Sequence, residues 1–220
     1  MSRRSATRLV IVRHGQTAAN TGRLLHGWSD LPLDETGKRQ STLVARRIAN
    51  EIEARALLSS PLARARATAV AISDLTGLEI EERAELREMH FGDLEGVTVE
   101  SLQVEYPDIA AQALDPHNLT LRWPNGEHIA EFYQRCQESF ASIASEYHGE
   151  TVVVVAHGGV IGGYLRSVAG EPLNAWQTFA LRNCAISIVD VAGGVPSVIV
   201  SNDCQHLDAD LSTASEAERS

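Results

Sequence analysis

The 220-residue chain predicts an α/β protein: a three-layer α/β/α sandwich with a mostly parallel central sheet and helices on both faces. Three observations carry this expectation. Short β-branched apolar runs, residues 9–12 and 151–156 foremost, alternate with stretches of helical periodicity. Strands that alternate with helices build a parallel sheet covered on both sides. The chain is 44% hydrophobic but only 5% aromatic, with Ala, Val, Leu and Ile dominant, which suits helices packed on a buried sheet.

Element by element, residues 9–12 read as a buried strand that ends in Arg13-His14-Gly15-Gln16-Thr17, with a helix expected after Gly15. Residues 38–52 follow Glu35-Thr36-Gly37 and form a helix striped by Leu43, Val44, Ala45 and Ile48. Residues 56–59 are a short strand. Ser60-Pro61 opens a helix to about residue 75, with proline in the first turn, and Gly77 ends it. Residues 78–82 fit another short strand. The pattern weakens between residues 86 and 125, where Gly92, Gly96, Pro107, Pro116, Pro124 and Gly126 punctuate the chain. This reads as a loop-rich excursion at about 92–126, with a helix near 98–106, placed to act as a lid. From 127 to 147 the periodicity is clear: Ile129, Phe132, Tyr133, Cys136, Phe140, Ile143 and Tyr147 share one helical face. Residues 151–156 form an apolar strand, followed by His157-Gly158-Gly159 and a helix to about 168. Residues 184–191 and 195–201 are strands around the turn Ala192-Gly193-Gly194. Residues 207–220 read as a polar, frayed tail. No linker or repeat divides the chain, so residues 1–206 are expected to form a single domain.

The formal net charge is −10, which disfavours nucleic acid, whose backbone needs a basic footprint. It leaves room for a small anionic substrate, because a few arginines in a cleft focus a local positive field. Cys136, Cys184 and Cys204 are odd in number and lack CxxC spacing, against disulfide scaffolding and structural zinc. His90, His117, His128, His148 and His206 show no HExxH-like spacing, so no metal is expected. Residues 1–8 are polar and basic, the apolar run after them is too short for a signal-peptide core, and no stretch reaches membrane-spanning length. The expectation is a cytoplasmic protein without membrane contact.

Two buried strands each end in His-Gly. Parallel neighbours would bring both imidazoles to one sheet edge, where open α/β sheets place their ligands. A lone histidine at a strand end is ordinarily a hydrogen-bonded structural residue; two with the same local pattern point to a site. Free-base imidazole is a nucleophile, and arginine holds phosphate through a fork of donors. The pattern points to phosphoryl chemistry.

In order along the chain stand Arg13-His14-Gly15 with Asn20, then Gly27-Trp28, Leu33-Asp34-Glu35-Thr36-Gly37, and Ser60-Pro61-Leu62-Ala63-Arg64-Ala65. Arg87-Glu88-Met89-His90-Phe91-Gly92 through Gly96 and Ala156-His157-Gly158-Gly159 follow. Each motif is weak alone, but the ordered set, from residue 9 to about 191, resembles the histidine phosphatase superfamily, which holds phosphoglycerate mutases and their phosphatase relatives. The resemblance implies a phosphoglycerate mutase-like fold and no cofactor. It makes His14 the nucleophile, sets Arg13, Arg64 and His157 around the non-bridging oxygens, and makes Glu88 the proton donor and acceptor. It assigns substrate contacts to Thr17, Asn20, His26, Gly27 and Gly158; His26 departs from the hydroxyl residue common in mutases. A homodimer is an expectation at family level only, since one core accounts for the amphipathic elements.

Elementary physics is consistent with these roles. Phosphoryl transfer needs in-line positioning and charge neutralisation above all. Two neighbouring guanidiniums keep an imidazole in its free-base form. Read alone, Arg64 would coat a solvated face of an Ala-rich helix, and Glu88 is one of several glutamates; the motifs single them out.

Phosphatase and mutase share the phosphohistidine half-reaction and differ in the acceptor. The resemblance gives mutases an adjacent arginine pair after the acid motif and an asparagine two residues after the second histidine. Here Arg122 and Arg135 are not adjacent, no lysine lies between Phe91 and Phe140, and that asparagine position is Gly159. Pro124-Asn125-Gly126-Glu127 before a long helix resembles the phosphatase branch, with His128 in place of its usual serine. The reading is therefore a metal-independent phosphomonoesterase on a small phosphorylated substrate. The alternatives are a 2,3-bisphosphoglycerate-dependent phosphoglycerate mutase and a non-catalytic phospho-ligand binder. Tyr106, Leu121 and Trp123 either wall the leaving group or pack the excursion onto the core.

Overall fold

The structure is a computed structural model that describes residues 6–175 and 181–208. Six strands, β1 (Thr7–Arg13), β2 (Ala56–Ser59), β3 (Ile80–Glu82), β4 (Thr151–Ala156), β5 (Ile186–Ala192) and β6 (Val195–Asp203), form one sheet in the order β3-β2-β4-β1-β5-β6. The first four in that order are mutually parallel, and β5 and β6 complete one side as an antiparallel hairpin. This is the mostly parallel α/β sheet the sequence predicts.

The period-two alternation of a strand sorts the core into two halves. Leu9 and Ile11 of β1 and Val152 and Val154 of β4 face one cluster; Val10, Val12, Val153 and Val155 face the other. Helices α2 (Glu35–Glu51) and α3 (Ala63–Thr76) cover the second cluster through Val44, Ile48, Ala65, Ala69 and Ile72. Helices α6 (Ile129–Glu146) and α7 (Gly158–Ala169) cover the first through Phe132, Phe140, Val160 and Leu165. The apolar stripe expected over 127–147 is that buried face of α6.

Several boundaries differ from expectation for identifiable reasons. The helix after Gly15, α1, is a single turn (Ala18–Thr21) closed by a capping box between Thr17 and Asn20. Helix α2 starts three residues early because Asp34 caps it, accepting from the Gly37 amide at 2.7 Å. Helix α3 starts late: Ser60 still belongs to the ladder, its amide donating to the Val155 carbonyl at 3.0 Å, so Ser60 and Pro61 precede the helix. The excursion holds two helices, α4 (Val99–Glu105) and α5 (Pro107–Leu114), the second unexpected and begun by Pro107 at its first turn. Leu121 and Trp123 are buried with the α6 cluster, whereas Tyr106 stays exposed at its edge. Leu207, expected to open a polar tail, is instead buried against the α2/α3 side. Residues 209–220 of that tail lie outside the described residues. Among the described residues no helix is long and apolar enough to cross a membrane.

Candidate active site

Strands β1 and β4 are adjacent and parallel, with Arg13 opposite Ala156. His14 and His157 therefore leave the same sheet edge side by side, with ring centroids 5.1 Å apart. Both are buried. His14 Nδ1 lies 2.7 Å from the Gly15 carbonyl. A carbonyl only accepts, so Nδ1 carries the proton and Nε2 keeps its lone pair. Burial, then Arg64, then Arg13, hold the His14 pKa well below that of an ordinary histidine. The arginines act as the sequence suggests, but desolvation leads.

The loop that presents His14 is held by glycine contacts. A Cβ on Gly15 would sit 2.5 Å from the Gly37 carbonyl oxygen, and one on Gly37 would sit 2.1 Å from that of Gln16. The Gln16 carboxamide donates to Asp34 at 3.1 Å. The Leu33–Gly37 motif thus docks the start of α2 against the histidine loop, and Asn183 Nδ2 donates to the His14 carbonyl at 3.0 Å from the other side.

Arg64 is fully buried at the start of α3, not on a solvated face. Its Nη atoms donate to the carbonyls of His26, Gly27 and Ser29 at 2.7–3.1 Å. That strap is anchored by Glu95, which accepts from the Trp28 and Ser29 amides at 2.7 and 2.6 Å. Only glycine fits at 27, where a Cβ would meet the Met89 carbonyl oxygen at 1.9 Å. Arg13 donates through Nη1 to the Leu181 carbonyl. His157 Nε2 lies 2.7 Å from Ser60 Oγ. Around His14, three buried nitrogens have no partner among the described residues: Arg13 Nε, Arg64 Nε and His157 Nδ1. Buried polar nitrogens ordinarily find partners, and an arrangement of this kind can receive an oxyanion.

Glu88 sits against the first turn of α7. Its Oε2 accepts from the Gly159 amide at 2.9 Å, and its Oε1 accepts from the Met89 amide at 3.0 Å. A Cβ on Gly159 would lie 2.3 Å from Glu88 Oε1; the carboxylate occupies the space a side chain at 159 needs. Arg135 fixes the acid loop by donating to the Glu85 and Arg87 carbonyls at 2.6 and 2.8 Å while paired with Glu127. Trp28, half open to solvent, donates from Nε1 to the Glu88 carbonyl at 2.8 Å, and Arg87 covers its ring.

A cavity of about 290 Å³ opens beside these groups. Arg13, Asn20, His26, Glu88 and Gly158 line it, and Phe91, Val99 and Trp123 of the excursion region close one wall. His26 stands edge-on to His14 with centroids 6.2 Å apart. Burial, then Arg64, lowers its pKa to about 4. Thr17 and Asn20 are engaged with each other: Asn20 Oδ1 accepts from the Thr17 amide at 3.0 Å, and also from Asn183 Nδ2 at 3.2 Å. Gly158 begins α7 close to Arg13, a Cβ there meeting Arg13 Nε at 3.4 Å. Among the described residues no group of three or more His, Cys, Asp or Glu is placed to hold a metal ion.

Ser60 and Glu95, which lie inside the motifs with no role given to them, and Arg135 and Asn183, which lie outside, support this site, each through another residue. A further one, Arg166, is the single charge in the apolar run of α7, and that interruption is its sequence signal.

The sequence profile of the histidine phosphatase superfamily (branch 1) matches residues 9–204. The chain belongs to this superfamily. It is 34% identical to a protein named probable phosphoglycerate mutase GpmB from Serratia proteamaculans, over 82% of this chain and 83% of that protein. Among solved structures, Bacillus stearothermophilus YhfR superposes with a TM-score of 0.84 at 30% identity, covering 92% of this chain and 100% of that one. The mycobacterial glucosyl-3-phosphoglycerate phosphatase gives 0.78 at 28%, covering 90% and 100%. A variant of phosphoserine phosphatase from Entamoeba histolytica, in complex with phosphoserine, gives 0.82 at 26%, covering 91% and 99%.

Proposed function

We propose that the protein is a metal-independent phosphomonoesterase that works through a phosphohistidine on His14. The observation that carries this is the set of three unpartnered buried nitrogens, Arg13 Nε, Arg64 Nε and His157 Nδ1, beside a free-base imidazole. His14 Nε2 attacks phosphorus while these donors hold the non-bridging oxygens and offset their charge. The bond to the ester oxygen breaks, and Glu88 gives that oxygen its proton. Water then attacks the phosphohistidine, Glu88 takes the water's proton, and inorganic phosphate leaves as His14 is restored. The excursion at 92–126 acts as the lid, with Phe91, Val99 and Trp123 meeting the leaving group; Asn20, His26 and the Thr17 turn shape the phosphate end.

The mutase reading rests on the name of the Serratia relative. Two features weigh against it. Glu88 fills the space of a side chain at Gly159, and both arginines of the region after the acid motif are already engaged, Arg122 with Glu131 and Arg135 with Glu127.

The test runs phosphate release and 3-phosphoglycerate to 2-phosphoglycerate conversion in parallel, in EDTA, with and without 2,3-bisphosphoglycerate. Phosphate release from several monoesters with negligible isomerisation is expected. Isomerisation that outruns hydrolysis would establish the mutase. Tight phosphate binding without turnover would make the protein a phospho-ligand binder.

A further inference from the structure

The substrate cavity has a second cationic feature, on α7. Arg166 is almost entirely buried, with 1% of its surface exposed. It lines the same cavity as Arg13 and Glu88. Its Nε donates to the Leu173 carbonyl at 2.9 Å, which fixes the plane of the guanidinium. Its Nη2 is buried with no partner among the described residues. No described carboxylate forms an ion pair with it, whereas Arg23 at the same cavity is paired with Glu100.

A buried guanidinium without an anion is costly, and folds do not keep one without a counterpart. The neighbours of Arg166 do not supply it. Tyr133, also buried at the cavity wall, interacts with Arg166 and has its hydroxyl 3.4 Å from Asn174 Oδ1. Asn174 in turn spends its amide on the Ala113 and Asp115 carbonyls, at 3.1 and 2.8 Å. These are neutral groups, held in place by the excursion's own backbone. Among the described residues Glu88 is the one carboxylate lining the cavity, and the α7 amide at Gly159 and the Met89 amide already engage it. The unmatched charge therefore faces the ligand.

We propose that Arg166 is a specificity-determining residue that pairs with a carboxylate on the leaving group, so that the preferred substrates are small phosphomonoesters of hydroxy acids. A planar fork matches a carboxylate better than a neutral hydroxyl, and the small cavity suits a leaving group of a few carbons. A site built to pair a buried charge discriminates strongly against the analogue that lacks the partner. This inference rests on the phosphomonoesterase reading and sharpens its substrate class.

The experiment compares kcat/KM for phosphate release from 3-phosphoglycerate and glycerol 3-phosphate, which share a three-carbon skeleton and differ in the carboxylate. The native protein is expected to favour 3-phosphoglycerate by about 10- to 100-fold, the range of a hydrogen bond to a charged group. In Arg166→Met that ratio falls toward one, and Arg166→Lys restores part of it. An unchanged ratio in a folded Arg166→Met variant overturns the proposal, as does a native enzyme that hydrolyses p-nitrophenyl phosphate and shows no preference between the two esters. Absence of phosphate release from all three compounds overturns the phosphomonoesterase reading itself. If Arg166→Met does not fold, inhibition of the native enzyme decides: 3-phosphonopropionate is expected to bind at least about tenfold tighter than propylphosphonate, and equal inhibition overturns the assignment.

Discussion

The turns after β1 and β4 carry the same short pattern, a histidine followed by glycine at the end of a buried parallel strand, yet the two imidazoles are tied through different nitrogens. At His14 the proton sits on Nδ1, tied to the adjacent Gly15 carbonyl, and the free nitrogen is a lone pair. At His157 the tie is on the other nitrogen. Ser60 Oγ approaches Nε2 at 2.7 Å and also accepts from the Leu62 amide at 3.3 Å. With the hydroxyl proton given to Nε2, Nδ1 carries the hydrogen, and it has no partner among the described residues. In the proposed mechanism one imidazole attacks and the other stabilises. The difference comes from the partner of the second nitrogen, not from the strand or the glycine. The segments after the two histidines differ too. After β1 the chain makes one self-capped turn, while after β4 it runs directly into α7, whose Gly159 amide holds the acid Glu88.

The widest break of this comparison comes from removing each imidazole in turn. His14→Ala is expected to lower kcat for phosphate release by about 10⁴- to 10⁶-fold, the range for loss of a nucleophile. His157→Ala is expected to cost about 10²- to 10³-fold, the range for one lost donor to an oxyanion. Equal losses in folded variants would erase the distinction. Glu88→Ala comes next: alkyl phosphates should slow by about 10²- to 10⁴-fold, and p-nitrophenyl phosphate, whose leaving group needs no proton, should slow far less. A uniform loss across leaving groups would remove Glu88 as the acid. Ser60→Ala sharpens the comparison. It frees the His157 tautomer without touching His14, and a loss of about tenfold is expected, the worth of one hydrogen bond. A silent Ser60→Ala would mean that Ser60 does not set the donor.

Acid should unsettle both turns. His14 and His157 are held well below the ordinary histidine pKa, chiefly by burial, and His26 is lowered to about 4. All three are neutral in the fold near pH 6.5, while the unfolded chain begins to protonate there. The unfolded state binds more protons below pH 6.5, so stability falls as the pH drops. The loss is on the order of 2 kcal/mol between pH 6.5 and 5 for an imidazole that stays neutral in the fold. A urea midpoint measured at pH 7.5 and pH 5 tests this; an equal midpoint would contradict it. By the same shift, the acid limb of kcat/KM should lie below pH 6.5.

The sheet and its pair of histidines were legible because periodicity and β-branched runs report burial directly. The central strands follow from residues such as Val10, Leu57 and Val153, which run continuously apolar, whereas β3, Ile80–Glu82, carries two exposed glutamates and β6 is mostly exposed. The excursion was less legible. Helix α5 is short and Ala-rich, and its Ala110 and Ala113 are buried by α6-side neighbours far away in sequence. The motifs also named residues without saying what they do. Nothing local shows that Asp34 and Gly37 serve the His14 loop, that Glu95 anchors the strap held by Arg64, or that Arg135 is consumed in holding the Glu88 loop. Each of these is a contact between distant segments. Arg166 is the clearest case: a charge in an apolar helix signals something unusual, and only the fold shows which cavity it faces.

The most direct measurement is to trap the phosphoenzyme. The protein is mixed with p-nitrophenyl phosphate, quenched in alkali, digested, and the modified peptide is read by mass spectrometry. The account predicts an acid-labile, alkali-stable phosphate on His14 Nε2, absent in His14→Ala and retained in His157→Ala. Phosphate on His157, or turnover that persists with no phosphoenzyme in any variant, would contradict it.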